Sequence, residues 1–525
     1  MEGLKEDNTY NVLFNFHSFK LRLVAEGIVV GICTGFIISL FRFFVDKSST
    51  YLSAIYHIIS IKPVLIPVWI AFMLILGYLM GLLIKKEPMI SGGGIPQVEG
   101  VILRKFDMKW LRVIAGKFVG SLVSIGSGLS LGIEGPSVQI GAAVGQGVGS
   151  IFKRLKIEQK YLITSGVSAG ISAAFGAPLA GTMFALEEVH KNFSPLILVS
   201  ALSSALSADF VSREIFGMAP VFNFKNVSIL PLNYYTYIVI LGIVVGIAGV
   251  GFNKALLKAQ KIYSKSFPKV ELRPMIPFAV SIIVAFAIPQ ASGSGSALIM
   301  LLTNRNWTIR VLIILLIVKF IFTIVSAGSG TPGGIFLPIF AIGAIIGSLY
   351  GNTLSYFLGI KSGYIGSFVI LAMAGYFGAT IKSPITGSIL VIEMTGSFNN
   401  LLPVTIMSVI AYIVSDVLNS RPIFEVLLEK FLSSGTSESK ANRSKRKSIL
   451  EVPVCMGALI DQKKIKDVKW PKRCLIVGIK RGNSEIIPKG ETVIYPGDYL
   501  TVLTDEDVAL ETDSLLRNMT KTKLQ

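Results

Sequence analysis

Three stretches of this chain, Pro63–Ile84, Tyr234–Phe252 and Tyr364–Ile381, contain no charged residue at all. About 20 such residues in a helix cross the ~30 Å hydrocarbon core of a bilayer. Runs of this length and character are candidate membrane crossings. Composition agrees, since 15% of the residues are charged and 52% hydrophobic, against about 25% charged in soluble domains. The expectation is an all-α polytopic membrane protein. No cleavable signal is evident, because the N-terminal segment, 1–20, is polar and mixed in charge.

Other apolar stretches are less regular. Val311–Ala327 carries one charge, Lys319, while Gly135–Ile151 and Phe336–Leu349 are short and interrupted by Gly or Pro. Short, broken segments in corresponding places suggest discontinuous helices and an inverted-repeat transporter. Internal similarity supports this. Ser91-Gly92-Gly93-Gly94 is answered, at an offset of 201, by Ser292-Gly293-Ser294-Gly295. Pro136, Gly141-Ala142 and Gly145 match Pro338, Gly343-Ala344 and Gly347 at an offset of 202. Pro178, Gly181 and Glu187 match Pro384, Gly387 and Glu393 at 206. Three blocks in one order at nearly constant spacing define a repeat, with halves at about 21–215 and 232–420. Spacing alone leaves open whether the repeat is parallel or inverted.

The net charge of +19 fits basic loops and a lipid-facing tail better than a nucleic-acid surface, so no nucleic-acid polymer is expected as a partner. Cys33, Cys455 and Cys474 form no CxxC pair, and His17, His57 and His190 are scattered. A disulfide framework, a zinc site and a histidine-based catalytic cluster are thereby excluded. Neither an enzyme nor a resident cofactor or metal is expected.

The chemistry lies where broken helices begin. A helix starting inside the membrane presents free N–H groups and about half a positive charge, a ready site for an anion. Gly92-Gly93-Gly94-Ile95-Pro96 combines close backbone approach with a Pro suited to a first turn. Gly132-Ile133-Glu134-Gly135-Pro136 does the same with a carboxylate at the mouth, and Gly333-Gly334-Ile335-Phe336-Leu337-Pro338 repeats the pattern. An ionised Glu134 competes with an anion for such a site and a protonated one leaves it, so proton and anion occupancy are coupled. Glu187 and Glu188, at the end of an apolar segment, are candidates for proton uptake from the other side.

GGGIP (92–96), GIEGP (132–136) and GGIFLP (333–338) resemble the GSGIP, GREGP and GxFxP motifs of the CLC family of chloride channels and proton-coupled anion antiporters. The likeness runs from about residue 20 to 432. It implies the CLC inverted-repeat fold, a homodimer with one pore per protomer, and a multi-pass position in the cell membrane with both termini cytoplasmic. It assigns the external gating glutamate to Glu134 and the internal proton glutamate to Glu188. It places the central anion, chloride or another small inorganic ion, among Gly93, Ile95, the backbone amides of Ile335 and Phe336, and Phe424. Three positions depart from the pattern. Gly93 replaces the usual Ser, Phe424 the pore-lining Tyr, and Ile133 the Arg of GREGP. Each lost donor weakens anion binding by about 1–3 kcal/mol unless water replaces it. Proton-coupled chloride antiport is the reading, with a passive channel of the same fold or fluoride/proton antiport as alternatives. A potassium transporter would need a carbonyl filter such as TVGYG, which the sequence lacks.

The tail changes character. The stretch 451–525 holds 23 charges, against 58 in the whole of 1–450. Residues 433–449 read as a basic, flexible linker, with Lys440, Arg443, Lys445, Arg446 and Lys447 suited to anionic membrane lipids. Residues 1–20 are then a cytoplasmic segment, 21–432 the transmembrane domain and 450–525 a small α+β domain. In that domain Cys474–Ile479 reads as a buried strand, Glu485–Pro488 as a short one and Tyr499–Leu503 as an alternating one, before a helix within Asp505–Asn518. The run resembles the RCK C-terminal (TrkA-C) ligand-binding domain. That resemblance implies dimerisation and regulation by a small ligand, cyclic di-AMP being one such dinucleotide, with Lys480, Arg481 and Lys489 as candidate cations.

Overall fold

A computed structural model describes residues 3–191, 193–224, 228–304, 307–434, 447–482, 484–505 and 509–520. The chain divides into two compact units, Met1–Phe431 and Leu432–Gln525.

The first unit is helical throughout its ordered elements, and its two halves list their helices in matching order. α1 (Gly3–Ile61), α2 (Ile66–Lys86), α3 (Ile95–Ile102), α4 (Trp110–Gly126), α5 (Glu134–Ile151), α6 (Lys156–Phe175), α7 (Pro178–Phe184) and α8 (Pro195–Phe216) form one half. α9 (Tyr235–Ser266), α10 (Met275–Ala287), α11 (Ser296–Asn304), α12 (Ile309–Gly328), α13 (Phe336–Leu358), α14 (Ile365–Ile381), α15 (Pro384–Thr395) and α16 (Leu401–Val417) form the other, followed by α17 (Ile423–Ser434). Among the described residues nine helices are long and apolar enough to cross a membrane. The three uncharged runs lie in α2, α9 and α14, with single-turn 3₁₀ segments leading into them.

Proline starts helices and glycine lets them touch. α2, α7, α8 and α15 each carry Pro in the first turn, where the missing N–H costs no hydrogen bond. Between α5 and α6, a Cβ on Gly141 would sit 2.1 Å from the Gly166 carbonyl oxygen, and one on Gly166 would sit 2.0 Å from that of Gly141. In the second half Gly347 presses likewise on the Phe368 carbonyl of α14, at 2.3 Å for an added Cβ. Small residues allow this backbone proximity where no hydrophobic effect drives helices together in lipid. The buried cores of α5, α13 and α14 then form the interior against which the more lipid-accessible helices pack.

The halves are stitched at their helix starts. Gly132 and Gly334, one from each half, exchange both backbone hydrogen bonds at 2.8 Å in an antiparallel bridge. Gly92 N–H donates to the Gly330 carbonyl at 2.9 Å, and Gly333 N–H to the Gly92 carbonyl at 3.1 Å. A symmetric antiparallel bridge between equivalent residues places a local two-fold axis through it. The two halves are therefore related by a pseudo-two-fold rotation across this seam.

The second unit is a four-stranded antiparallel sheet in the order β1-β4-β2-β3. Its strands are β1 (Lys447–Pro453), β2 (Cys474–Arg481), β3 (Ser484–Ile486) and β4 (Tyr499–Asp505), with α18 (Ala509–Thr520) after them. Val452, Ile479, Leu500, Val502 and Leu516 fill its core. Two sequence expectations change here. Cys474–Ile479 is a strand, but Leu475 is 62% exposed, because only one face of the sheet is covered; a continuous apolar run does not prove burial on both faces. Lys447 and Ser448, polar enough to pass for linker, pair with Asp505 and Thr504 in β1, since ladder pairing outweighs composition. Lys440, Arg443, Lys445 and Arg446 lie outside the described residues.

Candidate anion and proton site

Glu134 opens α5 and its side chain is fully buried. Its Oε1 accepts the N–H of Phe336, the first residue of α13, at 2.5 Å, and the Leu337 amide bears on the same carboxylate. The other oxygen, Oε2, has no hydrogen-bond partner among the described residues. A carboxylate thus sits at the positive end of the opposite half's helix, where a free anion would otherwise be held. The bridge glycines make this possible. A Cβ on Gly334 would lie 2.2 Å from Glu134 Oε1, and one on Gly132 2.1 Å from Oε2. Gly135 is equally constrained, 2.5 Å from the Gly93 carbonyl oxygen. Pro136 and Pro338 occupy the same place, the third residue of α5 and α13.

The third helix start joins the same region. Gly92 and Gly94 adopt left-handed φ of 62° and 91°, which glycine tolerates without strain. Gly94 caps α3, Ile95 and Pro96 form its first turn, and Ile95 is buried. Gly93 faces the seam. The nearest atom to a Cβ placed on it is the Gly333 carbonyl oxygen, 3.9 Å away. Ile335 is the N-cap of α13. The Phe336 ring is surrounded by Phe377 at 4.8 Å, Phe184 at 5.4 Å and Phe424 at 6.2 Å between centroids. With Gly93 and Phe424 at these positions, the site presents backbone amides and aromatic rings where two hydroxyls could have stood.

Sequence reasoning missed a pair of buried cations. Lys117 Nζ donates to the carbonyls of Ile90 at 3.0 Å and Gly92 at 2.6 Å. Lys319, at the equivalent place in the second half, donates to Ala291 at 3.2 Å and Gly293 at 2.6 Å. Both are 0% exposed, and each collects the orphan carbonyls just before a broken helix starts. A lone lysine at matching places in two apolar segments was the available signal.

The two adjacent glutamates separate. They lie on a π-helical segment, Ala185–His190, that continues α7; such bulges are frequent at functional sites. Glu187 turns to the N-terminus of α15, accepting from Thr386 N–H at 2.8 Å and Thr386 Oγ1 at 2.6 Å. Glu188 is buried, with Ser383 Oγ donating to Oε2 at 2.7 Å and, among the described residues, no partner on Oε1.

In the second unit the three candidate cations differ. Lys480 and Lys489 are exposed. Arg481 is engaged within the domain: its Nε and a terminal nitrogen each donate to Asp498 at 2.8 Å, a further bond goes to the Val493 carbonyl, and Tyr495 stacks on it at 4.5 Å. These bonds use three of its five N–H donors.

Apolar crossings around helix N-termini that meet on a two-fold axis, with a carboxylate held among them, define a polytopic membrane transport protein. Residues 76–416 match the family model described as voltage gated chloride channel, and residues 449–517 match the TrkA-C domain. The chain belongs to the voltage-gated chloride channel, or CLC, family and carries a C-terminal TrkA-C domain. It is 36% identical over 380 residues to the H(+)/Cl(−) exchange transporter ClcA of Vibrio campbellii, covering 70% of this chain and 81% of that one. To ClcA of Salmonella paratyphi B it is 32% identical over 379 residues, covering 71% and 80%. Among solved structures, a slow cyanobacterial Cl−/H+ antiporter superposes with TM-score 0.75 at 29% identity, over 79% of this chain and 98% of that chain. A CLC-type fluoride/proton antiporter gives 0.63 at 27%, over 76% and 96%.

Proposed function

We propose that this protein exchanges chloride for protons across the cell membrane, Glu134 acting as the gating glutamate and Glu188 as the proton glutamate of the opposite side. The observation that carries the reading is the Glu134 carboxylate on the Phe336 amide. An anion arriving at that amide displaces the carboxylate, and the displaced group takes up a proton. When the proton is released, the carboxylate returns and expels the anion. One positive site serving two competing occupants gives exchange rather than parallel leakage. Retention of both glutamates and the names of the relatives favour antiport over a passive channel. Chloride is the favoured anion over fluoride because the more similar relatives are chloride exchangers. A homodimer with both termini in the cytoplasm is the arrangement this reading carries over from the family.

The TrkA-C unit is read as a regulatory sensor for a small ligand, cyclic di-AMP among the candidates, with Lys480, Arg481 and Lys489 as its candidate cations. Deleting residues 434–525 should leave transport intact and remove any nucleotide response. The gate itself is tested by Glu134→Gln in reconstituted vesicles. Glutamine mimics the protonated acid, so anion flux should persist while proton coupling vanishes. Retained anion-driven proton movement in that variant would exclude Glu134 as the exchanged carboxylate.

A further inference from the structure

Lys191 ends the π-helical segment with φ 55°, a left-handed backbone common at helix C-termini, and its side chain is held by two ion pairs. Its Nζ lies 2.7 Å from Glu99 Oε1 and 2.5 Å from Glu425 Oε1. Glu99 belongs to α3, the helix that Gly94 caps, and Glu425 follows Phe424 on α17. One ammonium therefore ties together the helix behind Gly93, the helix carrying Phe424 and the segment carrying Glu188. The cluster also grades from solvent inward. The Lys191 and Glu425 side chains are 36% and 38% exposed, that of Glu99 is 5% exposed, and Glu188 is buried with one oxygen unpartnered among the described residues. All three charges lie within electrostatic reach of Glu188.

We propose that Lys191, clamped between Glu99 and Glu425, is a positioning residue for proton uptake at Glu188. It offsets two carboxylates that would otherwise hold a proton on Glu188 too tightly to pass it on, and it fixes the distance between the proton and anion paths. Lys105 bears on Glu99 and Arg421 on Glu425, and the remaining titratable neighbours are engaged as follows. Glu187 is bonded to α15. His190 is hydrogen-bonded to Thr164 and lies against the Tyr161 ring, with Lys160 of α6 nearby. This inference rests on the antiport reading above.

The experiment measures proton transport per anion moved by the full-length protein in vesicles, as the pH on each face is varied independently. Lys191→Met removes a cation beside Glu188, so the half-maximal pH should rise by roughly one unit. Glu425→Gln removes an anion, so it should fall. Both substitutions break the same clamp, and a merely structural clamp would move both profiles the same way. Lys191→Arg keeps the charge and should restore the wild-type profile. Shifts in one direction for both variants, or none in either, would overturn the proposal. If Lys191→Met fails to assemble, Glu425→Gln decides alone, and an unchanged or upward profile counts against it. A wild-type protein that moves no protons would instead defeat the antiport reading itself.

Discussion

Glu187 and Glu393, equivalent positions of the two halves, cap each other's half of the repeat. Glu187 Oε2 accepts the Thr386 N–H at 2.8 Å and Oε1 that of Ile385 at 3.3 Å. Glu393 Oε2 accepts the Ala180 N–H at 2.8 Å and Oε1 that of Leu179 at 3.2 Å. Acceptors and donors are related by the same sequence offset, so the pair is one interaction written twice about the two-fold axis. Each carboxylate meets orphan amides at a helix N-terminus, a charge-assisted arrangement.

This exchange predicts that Glu187 and its neighbour differ in kind. Glu187→Ala and Glu393→Ala should each lower stability by about 1–2 kcal/mol, read in thermal unfolding of the detergent-purified protein, with the larger loss for Glu187, which also accepts the Thr386 hydroxyl. Glu188→Gln should instead leave the melting temperature close to wild type and abolish proton transport. Its anion flux should remain pH-sensitive, because Glu134 still titrates. Proton transport surviving at the wild-type rate in Glu188→Gln would move the proton role elsewhere.

The missing hydroxyls can be restored one at a time. A Cβ at Gly93 would have the Gly333 carbonyl oxygen, 3.9 Å away, as its nearest neighbour among the described residues, and its φ is not left-handed, so Gly93→Ser should fold. Phe424→Tyr adds a phenol beside the Phe336 ring. Each added donor should strengthen chloride binding about fivefold to tenfold, corresponding to roughly 1 kcal/mol per hydrogen bond, as measured by titration calorimetry. Unchanged affinity for Phe424→Tyr would show that its ring edge does not face the anion.

In the TrkA-C unit the Arg481–Asp498 pair is structural. Burial pushes the Asp498 carboxyl up, but the Arg481 fork and the Tyr495 amide outweigh it and hold the group below its ordinary value. A lowered folded-state value means that the stabilisation is fully present above about pH 4, the unfolded carboxyl's range. It is lost as pH falls through the lowered value. Arg481→Gln should therefore destabilise the unit near neutrality by about 1–2 kcal/mol, after allowing for screening of the part-exposed guanidinium. Faster hydrogen exchange in β2 and β4 is the readout, and protection equal to wild type would refute the assignment.

The long uncharged runs and the repeat were legible because hydropathy and spacing are one-dimensional. The three Gly/Pro motifs were legible for the same reason, and all of them lie at helix starts in the fold. Less visible was anything set by pairing across the two-fold axis. Glu187 and Glu188 are neighbours in sequence, yet the π-helical segment sends one to cap α15 and buries the other beside Ser383. Lys117 and Lys319 owe their meaning to carbonyls that come together only in three dimensions. The Arg481–Asp498 pair is hidden in the same way, since Asp498 stands 17 residues on, beyond β3.

Uphill proton movement tests the central claim most directly. The full-length protein, reconstituted in sealed vesicles, is given an outward chloride gradient with no initial pH difference, and external pH is followed. Coupled exchange predicts inward proton movement against the growing gradient, reversed when the chloride gradient is reversed and absent in Glu134→Gln. Chloride efflux with no proton movement in the wild-type protein would contradict the account and identify a passive anion pathway on the same fold.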